Sequence, residues 1–246
     1  MMPVKCLVVV PTYNEAGNIL RLIKEDLKVA QNLDILVVDD NSPDNTGDLV
    51  ERAIPEFKGR VHLMRRAGKL GLGTAYIAGF EWGLARGYDV FIEQDADFSH
   101  TPHYIRDMLR EVENGCDLVI GSRNIRSGGV VGWGLGRKII SRGGSLYART
   151  LLLTNIKDLT GGYNCYTRHA LETINLPTVM SNGYVFQIEM KWRAALADLR
   201  IKEIPIIFPD RKIGQSKMSK KIFVEAMLKV LLMAFRRGRI KGMLKK

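Results

Sequence analysis

Short apolar runs alternate with longer stretches of helical spacing through the first 121 residues. Residues 4–10 are a β-branched run that predicts a buried strand stopping at Pro11. Residues 15–29 then place Ile19, Leu22, Ile23 and Leu27 at the spacing of one helix face. A second strand is predicted at 35–38, closing on Asp39 and Asp40, with turn chemistry at 44–46 before a helix at 47–53. Strands at 60–64, 90–93 and 118–121 alternate with helices at 72–84 and 102–112, the last opened by a proline. Strand and helix in strict alternation predict an α/β fold, a mainly parallel sheet with helices on both faces. Such sheets bind ligands beyond the carboxyl ends of their strands. The polar clusters at 11–15, 39–44, 95–100 and 122–126 all fall there.

The regularity breaks after residue 121. Residues 123–136 are glycine-rich, contain Arg123 and Arg126, and predict a mobile functional loop. Helices are expected at 138–153 and 184–197, and one strand-like run at 201–208. Residues 222–235 read as a largely apolar helix interrupted by Glu225 and Lys229, followed by a basic segment at 236–246. This divides the chain into a domain at 1–221 and an amphipathic helix with a basic tail at 222–246. Apolar helix beside basic tail is the pattern of a segment resting on an anionic membrane surface. No stretch approaches the ~20 apolar residues of a membrane span, and the first apolar run comes too early and is too brief for a signal peptide. A peripheral position at the cytoplasmic face of a membrane is therefore expected. Cys6, Cys116 and Cys165 are scattered, with no C-x-x-C spacing, and read as buried free thiols.

Composition changes the picture in one respect. An apolar content of 46% is ordinary and excludes a disordered chain, but 37 Lys and Arg against 26 Asp and Glu give a net charge of +11. The excess points to an anionic partner. Acidic clusters at the predicted ligand face argue against nucleic acid, because they would repel a phosphate backbone. Asp95 and Asp97, two apart just after a strand, can converge on one divalent cation, Mg²⁺ or Mn²⁺, that shares its sphere with substrate phosphates. One carboxylate of the Asp39-Asp40 pair is placed to read a ribose or base hydroxyl. Tyr13 can stack on a base, and Glu15 can accept a hydrogen bond from it. Gly71-Leu72-Gly73 lacks the small residue that a dinucleotide fingerprint needs at Tyr76, and is read as tight packing or at most a phosphate loop. Arg123, Arg126, Arg137, Lys138 and Arg142 group near the glycine-rich loop, and Arg211, Lys212 and Lys217 group after the 201–208 run. Both groups suggest phosphate capture. His100 could touch a metal or a phosphate. There is no G-x-S-x-G elbow and no G-x-x-x-x-G-K-[ST] loop.

Taken in order, nine segments resemble family 2 glycosyltransferases of the GT-A fold. They are 9–15 (VVPTYNE), 37–46 (VVDDNSPDNT), 70–76 (LGLGTAY), 95–102 (DADFSHTP), 121–123 (GSR), 138–143 (KIISRG), 158–162 (DLTGG), 183–189 (GYVFQIE) and 214–217 (GQSK). The resemblance narrows to the polyprenyl-phosphate (dolichol-phosphate) mannose synthases, in the compact form without transmembrane helices. It implies inverting transfer of mannose from GDP-mannose to a polyprenyl or dolichyl phosphate, with UDP-glucose or another nucleotide sugar as the alternative donor. It implies that Pro11, Tyr13, Glu15, Val38 and Asp40 line the guanosine site and that Asp95, Ala96 and Asp97 hold the diphosphate and metal. Arg211 and Lys217 would close over the donor, and Arg123, Arg137 and Ser141 would hold the acceptor phosphate. Asp95, Asp97 and Arg123 are thus the implied catalytic set. Ser99 stands where some relatives carry a metal-ligating Gln, and Asn41 where many carry Gly. A membrane-anchoring protein partner is a further expectation from the family.

Overall fold

The computed structural model describes residues 4–210 and 220–245, with the backbone alone for residues 184 and 220–223. The first half folds as the hydropathy pattern requires. Strands β1 (Cys6–Thr12), β2 (Leu33–Asp39), β3 (Val61–Arg65), β4 (Val90–Glu93) and β5 (Leu118–Ser122) are interleaved with helices α1 (Ile19–Asp26), α2 (Thr46–Ala53), α3 (Leu72–Leu84) and α4 (Tyr104–Glu113). Cys6 through Val10 are fully buried, as a central parallel strand covered on both faces must be. Beyond β5 come β6 (Gly129–Val131), α5 (Leu135–Leu152), β7 (Asn164–Thr167), α6 (Arg168–Ile174), α7 (Tyr184–Leu196), β8 (Ile201–Pro205), β9 (Ile207–Pro209), α8 (Lys220–Phe235) and α9 (Arg237–Met243).

The main sheet has the strand order β3-β2-β1-β4-β7-β5-β8, and only β7 runs antiparallel to its neighbours. The chain reverses direction across the sheet at β1, which pairs with β2 on one side and β4 on the other. Their registers, Thr12 opposite Asp39 and Val9 opposite Glu93, bring the ends of all three strands to one crevice.

Two expectations are corrected, and two elements are added to the sequence reading. The predicted loop at 123–136 is partly ordered: β6 pairs in parallel with β9, and the apolar Trp133 is buried with Val130 half-buried beside it. The single run at 201–208 is two strands in two sheets, β8 beside β5 and β9 beside β6. Strand β7 and helix α6 had no sequence expectation; β7 is four residues long with a polar residue at each end, and its partners come from β4 and β5. The basic segment after α8 continues as the helix α9, which buries Ile240 and is tied down by Asn175 Nδ2 to the Met243 carbonyl at 2.7 Å. Helix α8 packs against α5 and α7, burying Val230 and Met233. All three cysteines are free thiols, with Cys6 and Cys165 buried.

Candidate functional site

The crevice beyond β1, β2 and β4 is built from loops whose backbones need unusual conformations. Asn14, Asn41 and Asn45 all have φ near +60°, the left-handed region that Asn and Gly tolerate best. This gives Asn41 a physical role: at φ +57° it does the work of the glycine common at this place. Asp39 knits the loops together, accepting from Thr12 Oγ1 (2.9 Å), Ser42 N (3.0 Å) and Ser42 Oγ (2.6 Å). Ser42 Oγ in turn accepts from Asn14 N at 3.1 Å. Asp39 is thereby committed to structure, which leaves Asp40 as the candidate ligand-binding carboxylate of the pair.

Asp40 lies 2.8 Å from Arg66 Nη1. Burial raises its pKa, and the guanidinium opposes that rise. Tyr13 is half-buried, with Lys69 Nζ 4.4 Å from its ring centroid. Arg66 and Lys69 were not anticipated, since single basic residues in a loop carry no sequence signal. Pro11 and Glu15 are half-buried at the same rim, and Asn18 Nδ2 donates to Glu15 Oε2 at 3.0 Å. Val38 differs from its expected role, because its side chain is fully buried in the core and only its backbone can line a ligand site.

The loop after β4 is rigidly supported. Asp95 N donates to His100 Nδ1 at 2.9 Å, and Tyr76 Oη donates to Asp95 Oδ1 at 3.4 Å. His100 is buried and stacked on Tyr163, so it shapes the loop from behind rather than meeting a metal or phosphate as expected. Phe98 adopts φ +62°, a strained conformation for a bulky residue, in the tight turn where Ser99 N donates to Asp97 Oδ1 at 3.0 Å. Strain of this kind, held by the surrounding structure, fixes both carboxylates at the strand end. Ala96 is buried between them. Ser99 Oγ is buried with no hydrogen-bond partner among the described residues. Gly71 (φ +104°) and Gly73 make room for Asn182 and Phe186, which bears out the tight-packing reading of this segment.

Two buried carboxyl groups flank this loop. Glu93 accepts from Asn164 Nδ2 at 2.6 Å, and burial raises its pKa. Asp26, at the end of α1, accepts from Gln94 Nε2 at 3.1 Å, and the same nitrogen donates to the His100 carbonyl. Burial pushes the Asp26 pKa up to about 7, against the hydrogen bond from Gln94. A raised folded-state pKa gives stability that is complete below the unfolded value near 4 and lost as pH rises through 7. The loss from this one group is on the order of 4 kcal/mol between those limits. Asp26→Asn removes it. The variant is expected to gain Tm over the wild type at pH 8 and to lose most of that gain at pH 4, in parallel thermal melts.

The predicted acceptor-phosphate residues lie across the crevice. Arg123, at the end of β5, is buried and forked onto Asp158, with Nε to Oδ2 at 2.8 Å and Nη2 to Oδ1 at 2.7 Å. Its backbone N also donates to Asp158 Oδ2 at 2.9 Å. Burial alone would raise Asp158, but Arg123 and Lys191 hold its carboxyl down to about 2. Asp95 also favours the Arg123 charge, which places this cation within electrostatic reach of the metal loop. Arg137, in the first turn of α5, lies 3.9 Å from the Trp133 ring centroid, and Arg123 lies 5.7 Å from it. The structure therefore gathers Arg123 and Arg137 at one indole, whose Nε1 is buried without a partner among the described residues. Ser141 sits one turn further along α5, half-buried. Arg137 is paired with Asp210 at 2.7 Å. Arg126 and Arg142 are exposed. Arg211, Lys212 and Lys217 lie outside the described residues.

The ends of β1, β2 and β4 thus bring Asp40 and the Asp95–Asp97 pair to one edge of the sheet, with Arg123 within electrostatic reach of Asp95. The family model for glycosyl transferase family 2 matches residues 7–174. The chain belongs to glycosyl transferase family 2. It is 45% identical over 226 residues to a polyprenol monophosphomannose synthase of Mycolicibacterium smegmatis, covering 92% of this chain and 85% of that one. It is equally 45% identical to an undecaprenyl-phosphate mannosyltransferase of Micrococcus luteus, covering 92% of each. Among solved structures it resembles glucosyl-3-phosphoglycerate synthase from Mycobacterium tuberculosis, bound to Mn²⁺, UDP and product. That match has a TM-score of 0.64 and 18% identity, and covers 98% of this chain and 81% of that one. It also resembles a mannosyltransferase of Pyrobaculum calidifontis in complex with GDP-Man and Mn²⁺. There the TM-score is 0.60 and the identity 15%, with 96% and 64% covered. These likenesses establish the GT-A fold.

Proposed function

We propose that this glycosyltransferase moves mannose from GDP-mannose to a polyprenyl monophosphate, with inversion at the sugar. The observation that carries the reading is the coupling of two charge centres: the carboxylate loop of Asp95 and Asp97, and Arg123, which shares the Trp133 ring with Arg137 and feels the Asp95 charge. The 45% identity to two enzymes named for polyprenyl phosphate supports the substrate class.

Asp40 and Tyr13, backed by Arg66 and Lys69, would bind the nucleoside. Asp95 and Asp97 would hold a divalent cation, Mg²⁺ or Mn²⁺. Two carboxylates suit such a cation when substrate phosphates complete its sphere, and the orphaned Ser99 hydroxyl beside them is the third protein oxygen. Bound there, the cation offsets charge on the departing diphosphate. The sugar C1–O bond to the diphosphate breaks as a bond forms from a lipid phosphate oxygen to C1, and GDP leaves. A phosphate monoester has its second pKa near 6, roughly, so the nucleophile is anionic at neutral pH and needs no general base. The harder task is to hold two anions together. Arg123, fixed by Asp158, and Arg137 at the mouth of α5 do this. Arg211 and Lys217 would add to the donor side.

The Arg137–Asp210 pair makes a specific expectation. Asp210 occupies a guanidinium that the acceptor phosphate would use, so the two anions compete. Asp210→Asn is expected to lower the acceptor KM about two- to fivefold, the span of a partly exposed ion pair, with kcat little changed. An unchanged or raised KM would remove Arg137 from the acceptor site.

Donor identity is tested by initial rates in detergent with polyprenyl phosphate and Mn²⁺ or Mg²⁺. GDP-mannose should exceed UDP-glucose by an order of magnitude or more. The reverse order would keep the fold and replace the donor. Among the described residues no helix is long and apolar enough to cross a membrane. The lipid acceptor would bring the enzyme to a bilayer surface, and a peripheral place at the cytoplasmic face is part of this proposal.

A further inference from the structure

Trp133 lies two residues past the end of β6 and is 9% exposed, packed T-shaped against Phe208 of β9 at 5.6 Å between ring centroids. Apolar burial accounts for the body of the ring. It does not account for the indole N–H, whose Nε1 is buried with no hydrogen-bond partner among the described residues. A buried donor left unpaired is costly, and folded proteins keep few of them.

The neighbours show why the surrounding fold supplies no partner. The Arg137 guanidinium lies over the indole, 3.9 Å from its centroid, and the Arg123 guanidinium is 5.7 Å away. Both are donors and carry no acceptor atom. Phe208 offers only its ring, which also has Arg123 at 5.4 Å. Asp210 brings a carboxylate to Arg137 at 2.7 Å, yet the indole nitrogen stays unpaired. Two guanidiniums and one N–H therefore share a single place, and an anion is the group that suits all three.

We infer that the Trp133 indole N–H is a third donor to the acceptor phosphate, acting with Arg123 and Arg137. This rests on the lipid-phosphate reading of that site. A carboxylate is planar, and Asp210 on Arg137 meets one of these donors. A phosphate monoester is tetrahedral and presents three acceptor oxygens. A phosphate that displaces Asp210 can accept from the guanidinium and from the indole together. The face of the same ring holds Arg137 by a cation–π contact. Substitution separates the two contributions: Phe keeps a ring beneath Arg137 and loses the N–H, whereas Leu loses both.

The test uses the wild-type full chain labelled with ¹⁵N at tryptophan. It has three indole N–H signals, from Trp82, Trp133 and Trp192. Trp133→Phe, or Trp82→Phe by elimination, assigns the Trp133 signal. Trp192 Nε1 already donates to the Leu152 carbonyl at 3.0 Å and serves as the internal standard. A short-chain prenyl monophosphate in detergent, without donor sugar, should move the Trp133 proton downfield saturably and leave Trp192 in place. Inorganic phosphate at the same concentration should move it far less, and an equal response would overturn the assignment to the lipid phosphate. In initial-rate assays Trp133→Phe should raise the acceptor KM about tenfold, the scale of a hydrogen bond to a charged group, with the GDP-mannose KM unchanged. Trp133→Leu should raise it further. If the wild-type signal stays in place at saturating acceptor while mannolipid forms, the inference is overturned and the indole is only a platform for Arg137. If the signal moves saturably and no mannolipid forms from any donor, this N–H keeps its role and the mannosyl-transfer reading fails. The titration is made on the wild type, so it decides the matter even where a Trp133 variant does not fold.

Discussion

Replacing Asp97 with Ala is expected to lower sugar transfer by about 10²–10³-fold while leaving the fold intact. The magnitude follows from losing one carboxylate at the point where diphosphate charge develops, an electrostatic contribution of several kcal/mol to the barrier. Asp97 is half-buried, and the hydrogen bond it accepts from Ser99 N is local to the turn. Removing it should therefore cost little stability. Asp97→Asn separates the two roles. The amide oxygen can still accept from Ser99 N and keep the turn, but it is a poorer ligand for a hard cation. Asn should therefore match Ala in lost activity and in weakened Mn²⁺ binding, measured by titration in the presence of GDP-mannose. An Asn variant near wild-type activity would mean that Asp97 shapes the loop and holds no metal.

Asp158→Ala is expected to cost stability first. Asp158 is fully buried and accepts from Arg123 at Nε, Nη2 and the backbone N. Removing it strands a guanidinium in the interior, a loss of about 3–5 kcal/mol and on the order of 10 °C in Tm for a chain of this size. Acid should act the same way on the wild type. With its pKa held to about 2, below the ordinary carboxylate value, Asp158 contributes stability above the unfolded pKa that is lost as pH falls from near 4 through 2. Asp158→Asn keeps the shape and loses the charge. It should melt between Ala and wild type and show a flatter acid limb. Activity should fall in both variants through the acceptor KM, since Arg123 is no longer held at the crevice. A Tm within a degree or two of wild type for Asp158→Ala would show that Arg123 finds another anion.

The difference between these residues marks what the sequence makes legible. Asp97 announces itself, because a polar pair directly after an apolar run is the end of a parallel strand, where ligands bind. The same logic located Tyr13 and Asp40. Asp158 carries no such signal. It lies in an irregular stretch, and its importance comes from a cation 35 residues away. Helix α7 hides its role for the opposite reason. Gln187, Glu189, Lys191 and Arg193 are polar by type, yet all four are buried. Lys191 donates to the carbonyls of Asp158 (2.9 Å) and Gly161 (2.6 Å), and Arg193 is paired with Glu189 at 2.7 Å. Hydropathy counts these residues as exposed because it cannot see a partner supplied by another element. Strand β7 was missed for a similar reason, since its neighbours rather than its four residues make it a strand.

In the proposed reaction a lipid phosphate oxygen attacks C1 of a GDP-bound mannose directly. Isolation of the lipid product from a reaction with GDP-mannose, polyprenyl phosphate and Mn²⁺, with its mass and its anomeric configuration by NMR, tests this step. One mannosyl group on the phosphate in the β configuration is expected, with GDP released in equal amount. An α-linked product would contradict single displacement, and no mannolipid at all would contradict the assignment of the acceptor.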